Sequence, residues 1–240
     1  MNKIACANWK ANGSRSDLKK FFDGVASKAG VDVVICPPFH LLANATVKSK
    51  VGIGAQDCSS RETGAYTGEI PASLLAEAGV ATLILGHSER RTLFGDDDKN
   101  LVQKLQHAHR AGLRIIFCVG ETGEQRQAGR TSAVIQNQLS VLQTNTGSSG
   151  KLVIAYEPVW AIGSGKAATA DEAHAVHVLL ADWLKTHMPA ALQGGIPILY
   201  GGSVNGDNAR DLAAHPLVGG FLVGGASLKP ETFNPIIAAL

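Results

Sequence analysis

The sequence lacks a long apolar run and any dense cluster of one charge. No segment approaches the roughly 20 apolar residues that a membrane-spanning helix needs. The opening decapeptide MNKIACANWK is too polar for the apolar part of a secretion signal. Basic and acidic residues number 22 and 20, and basic residues cluster only in pairs. We therefore expect a cytoplasmic protein without a nucleic-acid or membrane partner, for which a small anionic ligand remains an option.

Cysteine is sparse, and its spacing excludes two kinds of site. The four cysteines lie far apart and form no CxxC pair, which argues against a zinc site and a disulfide framework. His174 and His177 are three residues apart on a predicted helix, but no nearby carboxylate or cysteine completes a ligand set. We therefore expect reduced thiols, no bound metal, and exposed helix histidines.

The chain also lacks detectable internal repeats and long linkers rich in proline, glycine or serine. It has 240 residues, of which 45% are apolar and 18% charged. This composition is typical of a globular protein that can bury a large core. We therefore predict one domain that spans residues 1–240.

Eight short apolar runs alternate with segments of helical pattern. They read IACANW, VDVVICPP, VGIGAQ, ATLILGH, LRIIFCVGE, KLVIAYEP, IPILYGG and GGFLVGG. Each run is typical of a strand buried on both faces of a parallel sheet. Ser14 with Asp17 and Thr169 with Glu172 mark helix starts, and Pro189 marks a helix end. Eight units of about 30 residues predict a (β/α)8 barrel, with an open doubly wound sheet as the alternative.

Polar residues end several of these runs, at the barrel edge where active sites form. Asn8 and Lys10 follow the first run, His87 and Glu89 the fourth, and Glu157 the sixth. A buried carboxylate such as Glu157 is costly unless it is paired or used. Glu157, His87 and Lys10 together suit proton transfer beside a carbonyl, as base, electrophile and stabilising cation.

Glycine-rich segments follow the last three runs. Ser203, Gly224 and Gly225 lie in YGGSVNGDN and FLVGGASLKP, where hydroxyl and backbone N–H groups can hold a phosphate. The GSGK segment fails as a nucleotide-binding loop, because Trp160 and Ala167 replace its required glycine and its Ser or Thr. A stiff PVW start, a small tip and a compact exit into a capped helix instead predict a mobile lid.

Five segments resemble the signature segments of the triosephosphate isomerase family, in the right order. They read ANWKANG, GHSERR, AYEPVWAIGSGK, YGGSV and VGGASL, and the resemblance spans essentially the whole chain. It implies a TIM barrel that interconverts D-glyceraldehyde 3-phosphate and dihydroxyacetone phosphate through an enediolate, in glycolysis and gluconeogenesis. It implies no cofactor and no metal.

The resemblance also implies a role for individual residues. Glu157 would move a proton between C1 and C2, neutral His87 would polarise the carbonyl and relay protons between the oxygens, and Lys10 would stabilise the enediolate. The lid would close on the phosphate, and by excluding water it would raise the basicity of Glu157. The further residues implied are the substrate contacts Asn8, Gly163, Ser203, Gly224 and Gly225, and Glu89 as a support behind the site.

The segment at residues 56–70 is long for a connection inside a barrel, which suggests a function. In the family this third loop docks into a neighbouring subunit, and Thr67 matches the residue that reaches toward the neighbour's active site. The resemblance therefore implies a homodimer, with a mobile surface loop as the alternative.

Four positions depart from the usual family pattern. Ser164 and Ala167 alter the lid and bear on its kinetics, whereas Ala11 and Asp57 bear on dimer affinity. None of these four positions carries a proposed chemical role.

Two other functions stay open at the level of sequence. One is a barrel lyase or aldolase in which Lys10 forms a Schiff base with a phosphorylated substrate. The other is a non-catalytic phosphate-binding barrel, because a fold by itself does not fix a function. The joint presence of Glu157, His87 and Lys10 favours the isomerase.

Overall fold

Parallel strands close into a barrel in the computed structural model, which describes residues 1–45, 51–144, 151–162, 167–188 and 195–240. Eight strands pair in chain order within these ranges, and the last pairs with the first. The strands are β1 (Lys3–Asn8), β2 (Val31–Cys36), β3 (Gly52–Ala55), β4 (Thr82–Leu85), β5 (Arg114–Val119), β6 (Leu152–Tyr156), β7 (Ile198–Tyr200) and β8 (Gly220–Val223). The closed sheet confirms the predicted (β/α)8 barrel and excludes the open doubly wound sheet.

Helices surround the barrel and connect successive strands. The α-helices of the described ranges are α1 (Arg15–Gly24), α2 (Phe39–Ala45), α3 (Ala72–Glu77), α4 (Ser88–Leu93), α5 (Asp98–Arg110), α6 (Gly123–Gln127), α7 (Thr131–Ser140), α8 (Ala170–His187), α9 (Ala209–Ala213) and α10 (Pro230–Ala239). Short 3-10 helices follow α7, β6 and β8, at Val141–Thr144, Val159–Ala161 and Gly225–Ser227. None of these helices combines the length and the apolar character needed to cross a lipid bilayer.

Two apolar layers explain why the strands are apolar on both faces. Alternate strand residues fill the inside of the barrel, and the remaining strand residues pack outward against the helices. The inner cluster consists of Ile4, Cys6, Val34, Cys36, Ile84, Ile116, Cys118, Val153, Ala155, Leu199 and Leu222. All four cysteines are buried and free of disulfides. The barrel is therefore a packed core, and its polar chemistry is confined to its ends.

The barrel closes where β8 meets β1, and Gly220 permits this approach. Its φ is +144°, and a Cβ at this position would overlap the backbone carbonyl of Ile4. Only glycine tolerates both the conformation and the contact.

Local helix signals are largely as the sequence predicts. Helices begin at both predicted starts, Ser14 and Thr169, and each start has a capping box with reciprocal hydrogen bonds. Helix α8 ends at His187, and the predicted stop at Pro189 lies outside the described residues. The expectation of exposed histidines is wrong for His177, which is fully buried on α8. His177 lies four residues after buried Ala173 and three before buried Leu180, and this helical spacing places it on the buried face of α8.

Candidate active site

Glu157 lies immediately after β6, and its backbone is held against β5. Its N–H donates to the carbonyl of Val119 (2.8 Å). A Cβ at Gly120 would overlap the Glu157 carbonyl, so this close approach requires glycine. The side chain is 2% exposed. The contacts with β5 therefore fix the backbone of Glu157 at the end of β6, and its carboxylate has almost no contact with solvent.

The carboxylate of Glu157 contacts the segment that follows β4. Its Oε1 lies 3.0 Å from Nε2 of His87, and its Oε2 accepts a hydrogen bond from the Ser88 N–H (2.9 Å). Burial acts to raise the pKa of Glu157, but His87, the Ser88 N–H and Lys10 outweigh burial and lower it. In this position Glu157 is an ionised, fully partnered carboxylate.

His87 is the N-cap of α4, and this position fixes the state of its ring. Its Nδ1 accepts a hydrogen bond from the Glu89 N–H (3.2 Å). Nδ1 must therefore be unprotonated, so the neutral ring carries its proton on Nε2 and points it at Glu157. Burial acts to lower the pKa of His87, but the facing Glu157 carboxylate outweighs burial and raises it.

Lys10 lies beyond the end of β1 in a strained backbone conformation, with a φ of +51°. Its N–H donates to Oδ1 of Asn8 (3.2 Å), and its carbonyl accepts from Nε2 of Gln56 (2.9 Å). Gln56 also donates to the carbonyl of Cys36 (2.8 Å), which ties this turn to β2. The Lys10 ammonium contacts the Glu89 carboxylate. The structure thus brings Lys10 to the same segment after β4 that supplies His87.

The predicted phosphate-binding residues lie on the loops after β7 and β8. A Cβ at Gly224 would lie 3.4 Å from Cε of Lys10, so Gly224 borders the charged site. Gly225 is exposed and begins a short 3-10 helix, whose Ser227 carbonyl accepts a hydrogen bond from Nε1 of Trp9 (3.0 Å). Ser203 is half-buried after β7. Gly163 lies outside the described residues.

Three site contacts were missed by the sequence analysis. They are the backbone N–H of Ser88, the side chain of Gln56 and the carboxylate of Glu121. Glu121 is fully buried and accepts hydrogen bonds from the Tyr156 hydroxyl (3.1 Å) and from Nε1 of Trp160 (3.0 Å). Gln56 and Glu121 follow the ends of β3 and β5, so the strand-end rule that found Glu157 also applies to them. No sequence signal identifies a single backbone N–H.

The segment at residues 56–70 has a buried base and an exposed tip. Asp57 is buried, and its carboxylate contacts Nζ of Lys104 (2.8 Å) and Nε of Arg90 (2.9 Å). Lys104 and Arg90 also pair with Asp96 (2.7 and 2.9 Å), which gives a network of two cations and two carboxylates in which only Arg90 is partly exposed. Residues 61–69, including Thr67, are all exposed.

In the parts of the chain that the structure describes, no group of three or more His, Cys, Asp or Glu side chains could hold a metal ion. The site therefore consists of a carboxylate, an imidazole, an ammonium and backbone groups.

Comparison with known proteins identifies the family. The triosephosphate isomerase family model matches residues 3–240. The triosephosphate isomerase of Halorhodospira halophila is 44% identical over 242 residues, covering 99% of this chain and 97% of that protein. A cytosolic triosephosphate isomerase of Stellaria longipes is 44% identical over 238 residues (96% and 93%). That of Taenia solium is 44% identical over 240 residues (97% and 96%). The resemblance seen in the sequence is confirmed, and the chain belongs to the triosephosphate isomerase family.

Proposed function

We propose that this protein interconverts D-glyceraldehyde 3-phosphate and dihydroxyacetone phosphate, by moving a proton between C1 and C2 through an enediolate. The reaction serves glycolysis and gluconeogenesis. The contact between Glu157 and His87 at the carboxyl end of the barrel carries the proposal, together with the family assignment. Residues 1–240 act as one catalytic domain.

Glu157 is the base that takes the proton from carbon. Its present contacts with His87 and the Ser88 N–H lower its pKa, which keeps it ionised but makes it a weak base. When the carboxylate leaves these partners for the substrate, burial without compensating hydrogen bonds raises its basicity. The Glu157 side chain is therefore ionised but weakly basic before it reaches the substrate, and it becomes a stronger base there.

His87 is the electrophile that polarises the carbonyl and relays protons between the two oxygens. The Glu89 N–H at Nδ1 leaves Nε2–H as the ring's donor. Glu157 is the main influence that raises the pKa of His87. Once Glu157 has moved to the substrate, burial and the charge of Lys10 favour the neutral form of the His87 ring. The ring then donates a hydrogen bond to the substrate carbonyl and remains neutral.

Lys10 and Asn8 contact the substrate on the opposite side, and Lys10 stabilises the negative charge of the enediolate. Glu89 supports the site by pairing with the Lys10 ammonium. This ion pair also argues against the Schiff-base alternative, because a lysine nucleophile must be a free amine.

The phosphate binds between the loops after β7 and β8 and the segment after β6. Ser203, Gly224 and Gly225 supply hydroxyl and backbone donors, and Gly163 supplies its N–H when the segment closes as a lid. Such closure excludes water and limits loss of phosphate from the intermediate. This family is itself an established example of such closure.

The functional unit is a homodimer formed through the segment at residues 56–70, with Thr67 reaching toward the neighbouring active site. The exposed tip on an anchored, charged base supports this arrangement. The four buried free thiols support a reducing, cytoplasmic location.

The test is the rate of triose phosphate isomerisation by the purified protein, beside Glu157→Gln and His87→Ala. We expect Glu157→Gln to lose roughly three or more orders of magnitude in kcat. The exposed Glu231→Gln serves as a matched control and should keep full activity. A folded, dimeric parent without turnover would refute the isomerase. A borohydride-trapped substrate adduct on Lys10 would instead establish the lyase mechanism.

A further inference from the structure

One arginine contacts the chain on both sides of residues 163–166. We call residues 158–162, which follow β6, the first stem, and residues 167–172, which lead into α8, the second stem. The guanidinium of Arg126 on α6 lies 4.6 Å from the ring centre of Trp160 in the first stem. Its NH2 group donates to Oε1 of Glu172 in the second stem (2.8 Å). A single side chain therefore links the two stems.

The first stem is held by its indole ring. Nε1 of Trp160 donates to the buried carboxylate of Glu121, and NH1 of Arg126 lies 3.5 Å from the same carboxylate. The edge of the indole is thus fixed by hydrogen bonding while its face is covered by a cation. A planar guanidinium suits this stacked position better than an ammonium does.

The second stem is held by a carboxylate that makes two separate contacts. Oε2 of Glu172 accepts the Thr169 N–H (2.9 Å) in the capping box of α8, which leaves Oε1 for Arg126. The Ala168 N–H in the same stem donates to the Tyr200 hydroxyl (3.3 Å). The start of α8 is therefore anchored both to β7 and to α6.

The helix that carries Arg126 is itself fixed at its start. The side chains of Thr122 and Gln125 form a capping box at the start of α6. The side chains of Arg126 and Glu172 are about one third exposed, at 32% and 38%, so their ion pair adds little to global stability. A contact that adds little to stability but joins two functional stems is better explained by positioning.

We propose that Arg126 is a positioning residue for the isomerase reaction, which holds the two stems at a fixed separation through Trp160 and Glu172. The inference rests on the proposed function. Trp160 lies three residues after Glu157, and the second stem follows the segment that is proposed to close on the phosphate. Loss of Arg126 therefore reduces the contribution of the substrate phosphate to kcat/KM, while the proton-transfer groups stay intact.

The first experiment is independent of activity and measures backbone amide exchange in the parent, Arg126→Ala and Arg130→Ala. Arg130 is an exposed arginine just after α6 and serves as the matched control. We expect Arg126→Ala to speed amide exchange about tenfold in both stems and to leave amide exchange in the strands unchanged. Equal exchange in the parent and Arg126→Ala would overturn the link, and so would an increase spread over the whole chain.

The second experiment compares kcat/KM for D-glyceraldehyde 3-phosphate with that for D-glyceraldehyde, which lacks the phosphate. Binding energy from a remote group normally serves the reacting centre. Arg126→Ala should therefore lose at least about tenfold with the phosphorylated substrate and less than about twofold with the other. Equal losses with both substrates, or none, would overturn the positioning role.

Two further variants separate the contacts. Glu172→Gln keeps the capping hydrogen bond but removes the charge that pairs with Arg126, so it should reproduce part of the loss. The double variant that combines Glu172→Gln with Arg126→Ala should lose no more kcat/KM than Arg126→Ala alone. Additive losses would show that the two residues do not share one link between the stems. Arg126→Lys keeps the positive charge but loses the planar group that stacks on Trp160. Its kcat/KM for D-glyceraldehyde 3-phosphate should lie between the values of the parent and Arg126→Ala. A parent without isomerase activity would refute the proposed function, and the exchange data would still judge the link between the stems.

Discussion

Mild acid should destabilise this protein through one buried histidine. His177 is fully buried on α8, and neither of its ring nitrogens has a hydrogen-bond partner of good geometry among the described residues. The ring packs edge-on against Tyr156, with ring centres 6.1 Å apart. Burial lowers the pKa of His177 from 6.5 to about 4; the nearby Leu217 backbone opposes this, and the charges of His174 and His215 add to it.

The sign of the effect follows from the lowered pKa. Between pH 6.5 and about 4 the unfolded chain binds the proton at His177 and the folded protein does not, so stability falls as the pH falls through this window. At about 1.4 kcal/mol per pKa unit, the loss is about 2 kcal/mol at pH 5 and about 3 kcal/mol below pH 4.

Urea unfolding at pH 7, 6 and 5, at one fixed protein concentration, measures this loss in the parent and in His177→Leu. The variant should lose about 2 kcal/mol less than the parent between pH 7 and 5. His40→Leu removes an exposed histidine and should keep the parent's pH dependence. His87 titrates in all three proteins, so its contribution cancels in the comparison. An unchanged pH dependence in His177→Leu would refute the reasoning.

Three other outcomes are expected. Lys104→Met removes a cation from two buried carboxylates and should lower the free energy of unfolding in urea by about 3–5 kcal/mol. Lys19→Met, at an exposed position, should lower it by less than about 0.5 kcal/mol. Equal losses in the two variants would contradict the argument from burial. Gly220→Ala forces a Cβ into the Ile4 carbonyl at the barrel seam and should lower the unfolding midpoint or prevent folding; a parent-like midpoint would contradict the close approach. Tyr66→Asp places a charge on the exposed tip of the segment at residues 56–70, through which we propose the dimer forms. Sedimentation should detect more monomer at equal concentration than in the parent, whereas an unshifted equilibrium would argue against this interface.

Much of the fold was readable from sequence because its signals are local. Strands buried on both faces are continuous apolar runs, and helix starts carry capping residues such as Ser14 and Thr169, so neither feature depends on distant contacts. The strand-end rule then placed Glu157, His87 and Lys10 at one edge, because parallel strands in a closed barrel share a carboxyl end.

The sequence by itself determined the barrel, the family and the chemical groups at the strand ends. Only the tertiary structure decided how these groups are partnered: Glu157 with His87 and the Ser88 N–H, and Arg126 with two stems that are remote from it along the chain. It also decided that His177 is buried without a hydrogen-bond partner of good geometry among the described residues, where the sequence suggested an exposed histidine. The physical reason is that pairing, burial and the resulting pKa depend on distances between residues remote in sequence, which local periodicity does not encode.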